Sequence, residues 1–138
     1  MSIDWVEDIH KMQTKYKTRE WVEKNPDKLR AFLEFRIDFL REELDETESA
    51  LVNMDSEEIV DGLIDLCVVA IGTLDAFDID PYTAWDEVLK ANMAKEVGKK
   101  STRPNPLGVP DLIKPEDWEG PSHKGNHGKF NDIWFDIR

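Results

Sequence analysis

Apolar residues recur every three or four positions up to about residue 97, which is the rhythm of amphipathic α-helices. Helix caps and first-turn prolines divide this region into four predicted helices: Asp4 to about Lys15, Asn25-Pro26 onward, Asp55 or Ser56 to about Phe77, and Asp80-Pro81 to Gly98. The third helix is apolar on most of its sides, which is typical of a helix in the centre of a bundle. The sequence therefore predicts an all-α fold of the four-helix-bundle type.

The composition changes after Gly98. Residues 99–138 hold five of the seven prolines and four of the seven glycines, and they show no sustained helical rhythm. We expect residues 1–98 to form a helical core, and residues 99–138 to form an irregular, extended arm over that core or over a neighbouring subunit. The expected anchors of the arm are its aromatic residues: Trp118, Phe130, Trp134 and Phe135.

Charge and cysteine content exclude several classes of partner. The 138 residues include 18 Lys or Arg against 30 Asp or Glu, for a net charge of −12, which disfavours nucleic acids and anionic membranes. The chain has one cysteine, Cys67, so an intramolecular disulfide is impossible and a reducing compartment is expected. No segment is long and apolar enough to span a bilayer. These features predict a cytoplasmic protein without nucleic-acid or membrane partners.

Two carboxylate clusters interrupt the apolar helices: Glu42, Glu43 and Glu46 on the second, and Glu58, Asp61 and Asp65 on the third. Each cluster falls on one side of its helix, and a helical hairpin brings the two helices together. Acid in an apolar helix is costly unless a positive charge lies against it, and hard divalent cations prefer oxygen ligands. The alternatives are a solvated acidic face for Glu42 and Glu43, and a buried, hydrogen-bonded aspartate for Asp65.

Several motifs share an order along the chain: Phe35-Arg36-x-x-Phe39, Glu42-Glu43-x-x-Glu46, Asp61-Gly-Leu-Ile-Asp65, Glu87-Val88-x-x-x-Asn92-Met93-x-Lys95, and Lys114-Pro115. In this order they resemble the all-α nucleoside triphosphate pyrophosphohydrolases of the MazG type and their relatives, the phosphoribosyl-ATP pyrophosphohydrolases. The resemblance extends over roughly residues 5–121 and is strongest to small stand-alone forms, including phage-encoded ones.

The resemblance implies hydrolysis of a (deoxy)nucleoside triphosphate, with a preference for purines such as guanine, to the monophosphate and pyrophosphate. It implies two or three Mg²⁺ or Mn²⁺ ions per site and assembly as a homodimer or homotetramer. Glu42, Glu43 and Glu46 match catalytic and metal-binding carboxylates, and Asp61 and Asp65 match metal ligands. The residues that match substrate contacts are Phe35, Arg36, Phe39, Asn92, Lys95, Lys99 and Lys114.

One position departs from the family pattern. Relatives commonly have Glu-x-x-Asp in the second motif, whereas Gly62 stands three residues before Asp65 here. The second motif is therefore either Asp61 with Asp65 or Glu58 with Asp61, and the apolar run after Asp65 favours the first choice.

Three other functions are considered. Phosphoribosyl-ATP hydrolysis is the alternative within the same enzyme class, and a non-catalytic helical interaction module is the alternative outside it. A di-iron carboxylate protein needs two Glu-x-x-His motifs, and the chain offers one, from Glu7 to His10.

Overall fold

A computed structural model describes residues 1–100 and 102–135, except for the side chain of Phe135. This part of the chain contains five α-helices: α1 (Trp5–Lys15), α2 (Thr18–Lys24), α3 (Leu29–Val52), α4 (Ser56–Ala76) and α5 (Pro81–Met93). It also contains strands β1 (Glu96–Gly98) and β2 (Asp111–Ile113), and 3-10 helices at Pro26–Lys28 and Gly128–Phe135. The predicted all-α class is confirmed. None of the described helices is both long and apolar enough to cross a membrane.

Helices α3 and α4 form the hairpin expected from the sequence. Their connection turns through Met54, whose φ is 53°, and the side chain of Asp55 caps α4 by accepting a hydrogen bond from the Glu58 amide at 3.1 Å. The two helices approach closely at one point, because a Cβ on Gly62 would lie 2.2 Å from Thr47 Oγ1. Of the two predicted caps, Asp55 and Ser56, the structure shows Asp55, and Gly62 is explained by close helix packing.

The chain divides into two compact units. One comprises Met1–Pro81 together with the segment that begins at Gly125, and the other comprises Tyr82–Lys124. These boundaries differ from the expected division at residue 98. Helix α5 is grouped with the residues that follow it, since β1 pairs antiparallel with β2 and the Trp118 indole bonds to the α5 carbonyl of Ala91.

In the first unit, the core is centred on Phe77, which is fully buried. Helix α1 packs on α4, where Gln13 Nε2 donates a hydrogen bond to the Gly72 carbonyl at 2.9 Å. The C-terminal 3-10 helix packs on α3, and its Phe130 ring stacks on Phe77 with 4.5 Å between centroids. Gly128 has a φ of 48° and a Cβ there would lie 2.1 Å from the Phe77 carbonyl oxygen, so only glycine fits.

Three expectations about local structure need correction. Helix α2 was absent from the predicted set; it begins after Lys17, whose left-handed backbone (φ 63°) ends the α1 segment. The fourth predicted helix ends at Met93, and Gly98 lies in β1, where a Cβ would meet the Ile113 side chain at 2.7 Å. Residues 99–138 are not wholly irregular, because they contain β2 and the C-terminal 3-10 helix.

Candidate metal centre

Glu43 is a buried carboxylate on the face of α3 that packs against α4. It is 9% exposed, and its Oε2 atom has no hydrogen-bond partner among the described residues. Thr47, one turn later, uses its hydroxyl to donate to the Glu43 carbonyl at 2.8 Å, so it does not serve the carboxylate. A buried carboxylate oxygen without a donor is unfavourable and calls for a ligand or an explanation.

Four further carboxylates surround Glu43. Burial raises the pKa of Glu43, and the negative charges of Glu46, Asp65, Glu42 and Asp61 raise it further, in that order. Asp61 and Asp65 come from α4, whereas Glu42 and Glu46 come from α3. The hairpin therefore brings the two sequence clusters together.

Exposure within this cluster is graded. Asp65 is half-buried, and Glu42, Glu46 and Asp61 are exposed. Glu58 is exposed in the first turn of α4, where the pKa of its carboxyl is raised mainly by the charge of Asp55. Glu58 is not among the charges that raise the pKa of Glu43.

The donor set fits Mg²⁺ or Mn²⁺. Carboxylate oxygens are the ligands that these hard cations prefer, and the partnerless Glu43 oxygen lies among them. As the side chains stand, no three His, Cys, Asp or Glu residues of the described part are arranged to hold an ion. Carboxylates of like charge repel one another, so a closed cage requires the cation itself.

Another buried carboxylate, Asp75, provides a contrast. Its Oδ2 also lacks a hydrogen bond within the described part of the chain, but its Oδ1 lies 2.8 Å from His10 Nδ1 and 3.3 Å from an Arg19 nitrogen. Asp75 therefore has basic groups beside it, whereas the side chains that act on Glu43 are all acidic.

An open groove of about 510 Å³ lies beside the N-terminal half of α3. Its lining combines aromatic rings with positive charges: Tyr16, Lys17, Thr18, Glu20, Trp21, Lys24, Phe32, Phe35 and Arg36. Phe35 is 62% exposed, and the rings of Trp21 and Phe32 are 5.4 Å apart. Tyr16 and Trp21 are not predictable from the sequence as groove residues, because they precede α3 and no spacing links them to it.

The sequence predicts substrate contacts at Phe35, Phe39 and Arg36. In the structure, these three side chains lie in different surroundings. Phe35 lines the groove, while Phe39 is half-buried, 6.5 Å from Phe35. Arg36 is buried, and its Nε and one terminal nitrogen donate to Thr73 Oγ1 and to the Val69 carbonyl, both at 3.0 Å. Two of its donor groups are thus used within the fold.

The remaining predicted substrate contacts belong to the second compact unit. Asn92, Lys99 and Lys114 are exposed and Lys95 is half-buried. Lys95 and Lys114 both lie against the ring of Trp118. The roles of these residues stay predictions.

A family model, phosphoribosyl-ATP pyrophosphohydrolase, matches residues 7–92. The chain belongs to this family. The matched part begins within α1 and contains α2 to α4, both carboxylate clusters and the aromatic groove, and it ends before Lys95. No curated protein and no solved structure matches the chain. Membership supports a nucleotide pyrophosphohydrolase, a hydrolase of nucleotide metabolism.

Proposed function

We propose that the protein is a metal-dependent nucleoside triphosphate pyrophosphohydrolase, which converts a (deoxy)nucleoside triphosphate to the monophosphate and pyrophosphate. The observation that carries the proposal is the buried Glu43 oxygen without a partner, surrounded by four more carboxylates. Because such a group is unfavourable by itself, its presence on the helix hairpin is best explained by bound cations.

Five carboxylates would hold the ions: Glu42, Glu43, Glu46, Asp61 and Asp65. Bound Mg²⁺ or Mn²⁺ would polarise phosphate oxygens and lower the pKa of water. Glu43 or Glu46 would orient the attacking water by accepting its hydrogen bond. Asp61 with Asp65 is preferred over Glu58 with Asp61 as the α4 pair, since Asp61 and Asp65 raise the pKa of Glu43 and Glu58 does not.

The aromatic groove supports a nucleotide as the substrate. Bases stack on aromatic rings regardless of their identity, and the groove offers Phe32, Phe35 and Trp21 with lysines nearby. Phe35 precedes Glu42 by seven residues, which is roughly 10 Å along α3. A base in the groove and a phosphate chain directed toward the carboxylates would therefore use one side of the same helix. The purine preference stays part of the proposal.

A homodimer is proposed from the exposed apolar stripes of the hairpin. On α3, Ile37, Leu44 and Leu51 are exposed at spacings of seven residues. On α4, Val60 and Ile64 are exposed four residues apart. These spacings are those of helix–helix seams, and a second copy of the hairpin offers matching stripes. Sedimentation equilibrium tests the proposal: a dimer is expected, and Leu44→Lys should shift it toward the monomer.

The enzymatic proposal is tested by measuring pyrophosphate release with Mn²⁺ or Mg²⁺ from each dNTP, each NTP and phosphoribosyl-ATP. We expect release from nucleoside triphosphates, with the monophosphate and no nucleoside diphosphate as the other product. Asp65→Asn should lower the rate about 100-fold or more. Glu48→Gln is the matched control, because Glu48 is exposed on α3 and is not among the charges that act on Glu43.

Two outcomes would redirect the proposal. Turnover of phosphoribosyl-ATP alone would assign the alternative activity of the family. Turnover of no nucleotide, with an Asp65→Asn variant identical to the natural chain in cation binding, would favour the non-catalytic interaction module.

A further inference from the structure

The ring of Trp118 contacts two lysines in the second compact unit. The Nζ atoms of Lys114 and Lys95 lie 4.8 Å and 5.4 Å from the centroid of its ring. Both distances are within the range of cation–π attraction. One indole therefore contacts two ammonium groups.

The position of the Trp118 ring is fixed by a hydrogen bond to the end of α5. Its Nε1 donates to the Ala91 carbonyl at 2.7 Å. Carbonyls in the last turn of a helix lack their usual amide partner, and the Lys95 amide bonds to the Asn92 carbonyl instead of that of Ala91. The indole supplies the missing donor, so the ring is oriented relative to the helix end.

Strand pairing places the two lysines opposite each other. Strands β1 and β2 pair Glu96 with Ile113, and continuing this register by one residue places Lys95 opposite Lys114. Like charges in this relation destabilise a strand pair. None of the ion pairs of the described residues involves either lysine. The two ammonium groups therefore share one ring with no carboxylate at ion-pair distance among the described residues.

The balance of positive and negative residues in the second compact unit permits an anion to bind. Residues 82–124 contain seven Lys or Arg and seven Asp or Glu, whereas the whole chain carries a net charge of −12. The acidic excess of the protein therefore lies outside this segment. A multiply charged anion would meet far less repulsion here than at the α3–α4 hairpin.

We propose that Trp118 is a positioning residue that presents the ammonium groups of Lys95 and Lys114 as a pair to the phosphate chain of a di- or triphosphate. The inference rests on the proposed function, which supplies a triphosphate substrate and a pyrophosphate product. Ammonium groups act as point charges on flexible stems, so a rigid ring that holds both reduces the freedom lost when an anion binds.

The test is a titration of the full-length protein with inorganic pyrophosphate in the presence of chelator, followed by NMR of the tryptophan indole N–H groups. The Trp118 signal is identified by its loss in Trp118→Phe. We expect this signal to shift saturably. The double variant Lys95→Gln with Lys114→Gln should weaken binding about tenfold or more, whereas Lys90→Gln, an exposed lysine on α5, should leave it unchanged.

Two ring variants separate positioning from a merely structural role. Trp118→Leu, which removes the ring, should weaken calorimetric binding of pyrophosphate about tenfold, and Trp118→Phe, which keeps an aromatic ring, should recover part of the loss. A Trp118 signal that does not move, or that moves equally in the double lysine variant, would overturn the inference. If no nucleotide is hydrolysed, the proposed function fails, and the pyrophosphate titration still decides the role of Trp118.

Discussion

Arg36 and Glu43 lie seven residues apart on the same side of α3, and each is 9% exposed. Arg36 donates to Thr73 Oγ1 and to the Val69 carbonyl, whereas Glu43 Oε2 has no partner among the described residues. Burial lowers the pKa of Arg36, and for Glu43 burial and four neighbouring carboxylates raise it.

The two positions differ in what α4 presents to them. Opposite Arg36, α4 offers a hydroxyl and a backbone carbonyl that satisfy the buried charge. Near Glu43, it offers Asp61 and Asp65, which add charge of the same sign. Hydrogen-bond partners offset the cost of a buried charge, whereas a buried charge without them is costly and points to a ligand. The hairpin therefore has a structural end at Arg36 and, at Glu43, an end where we propose a cation site.

The largest change in stability is expected at the structural end. Arg36→Met should lower the free energy of unfolding by about 2–4 kcal/mol, with or without metal, because it removes charged hydrogen bonds from the interior. Urea unfolding measures the loss. Arg30→Met is the control: its exposed ion pair with Glu34 should contribute no more than about 1 kcal/mol. If Arg36→Met lowers the free energy of unfolding as little as Arg30→Met does, the structural role of Arg36 is contradicted.

A smaller loss is expected where the helices approach most closely. Gly62→Ala should lower the free energy of unfolding by about 1–3 kcal/mol, because the new Cβ would lie 2.2 Å from Thr47 Oγ1. Combining it with Thr47→Ala should recover the part caused by the hydroxyl, which a double-mutant cycle measures. Additive losses would contradict the proposed contact.

The sign of the change in stability should reverse at the Glu43 end of the hairpin. In chelator, Glu43→Gln should raise the free energy of unfolding, since it removes one of five crowded negative charges. Glu48→Gln, which also removes one negative charge, is the control and should change stability less. If Glu43→Gln destabilises the metal-free protein, the carboxylate has a stabilising partner and the interpretation of this end fails.

The smallest effect is expected in the pH dependence of the stability difference between Glu43→Gln and the natural chain. Burial, with its carboxylate neighbours, raises the pKa of Glu43 in the folded state. The folded protein therefore binds this proton more tightly than the unfolded chain, and the associated stability is present at low pH and lost as pH rises through the raised pKa. The advantage of Glu43→Gln should grow across this window. Thermal unfolding in chelator from acidic to neutral pH measures it, and a constant advantage would contradict the assignment.

Periodicity predicts the hairpin and the meeting of its carboxylate clusters, because both depend on spacing within α3 and α4. Periodicity does not show that Arg36 has hydrogen-bond partners whereas Glu43 Oε2 has none among the described residues. The residues that decide this lie on another helix. The pairing of β1 with β2 was also missed, because strands of three residues carry too short a pattern. Contacts between distant segments, such as Trp118 with Ala91, have no signal in local sequence.

Calorimetric titration with Mn²⁺ tests the central claim most directly. The natural chain should bind Mn²⁺ saturably in the micromolar to millimolar range, Glu48→Gln should bind it equally, and Glu43→Gln should bind it about tenfold or more weakly. Equal Mn²⁺ affinity of Glu43→Gln and the natural chain would contradict the claim that the buried carboxylate exists to hold a cation.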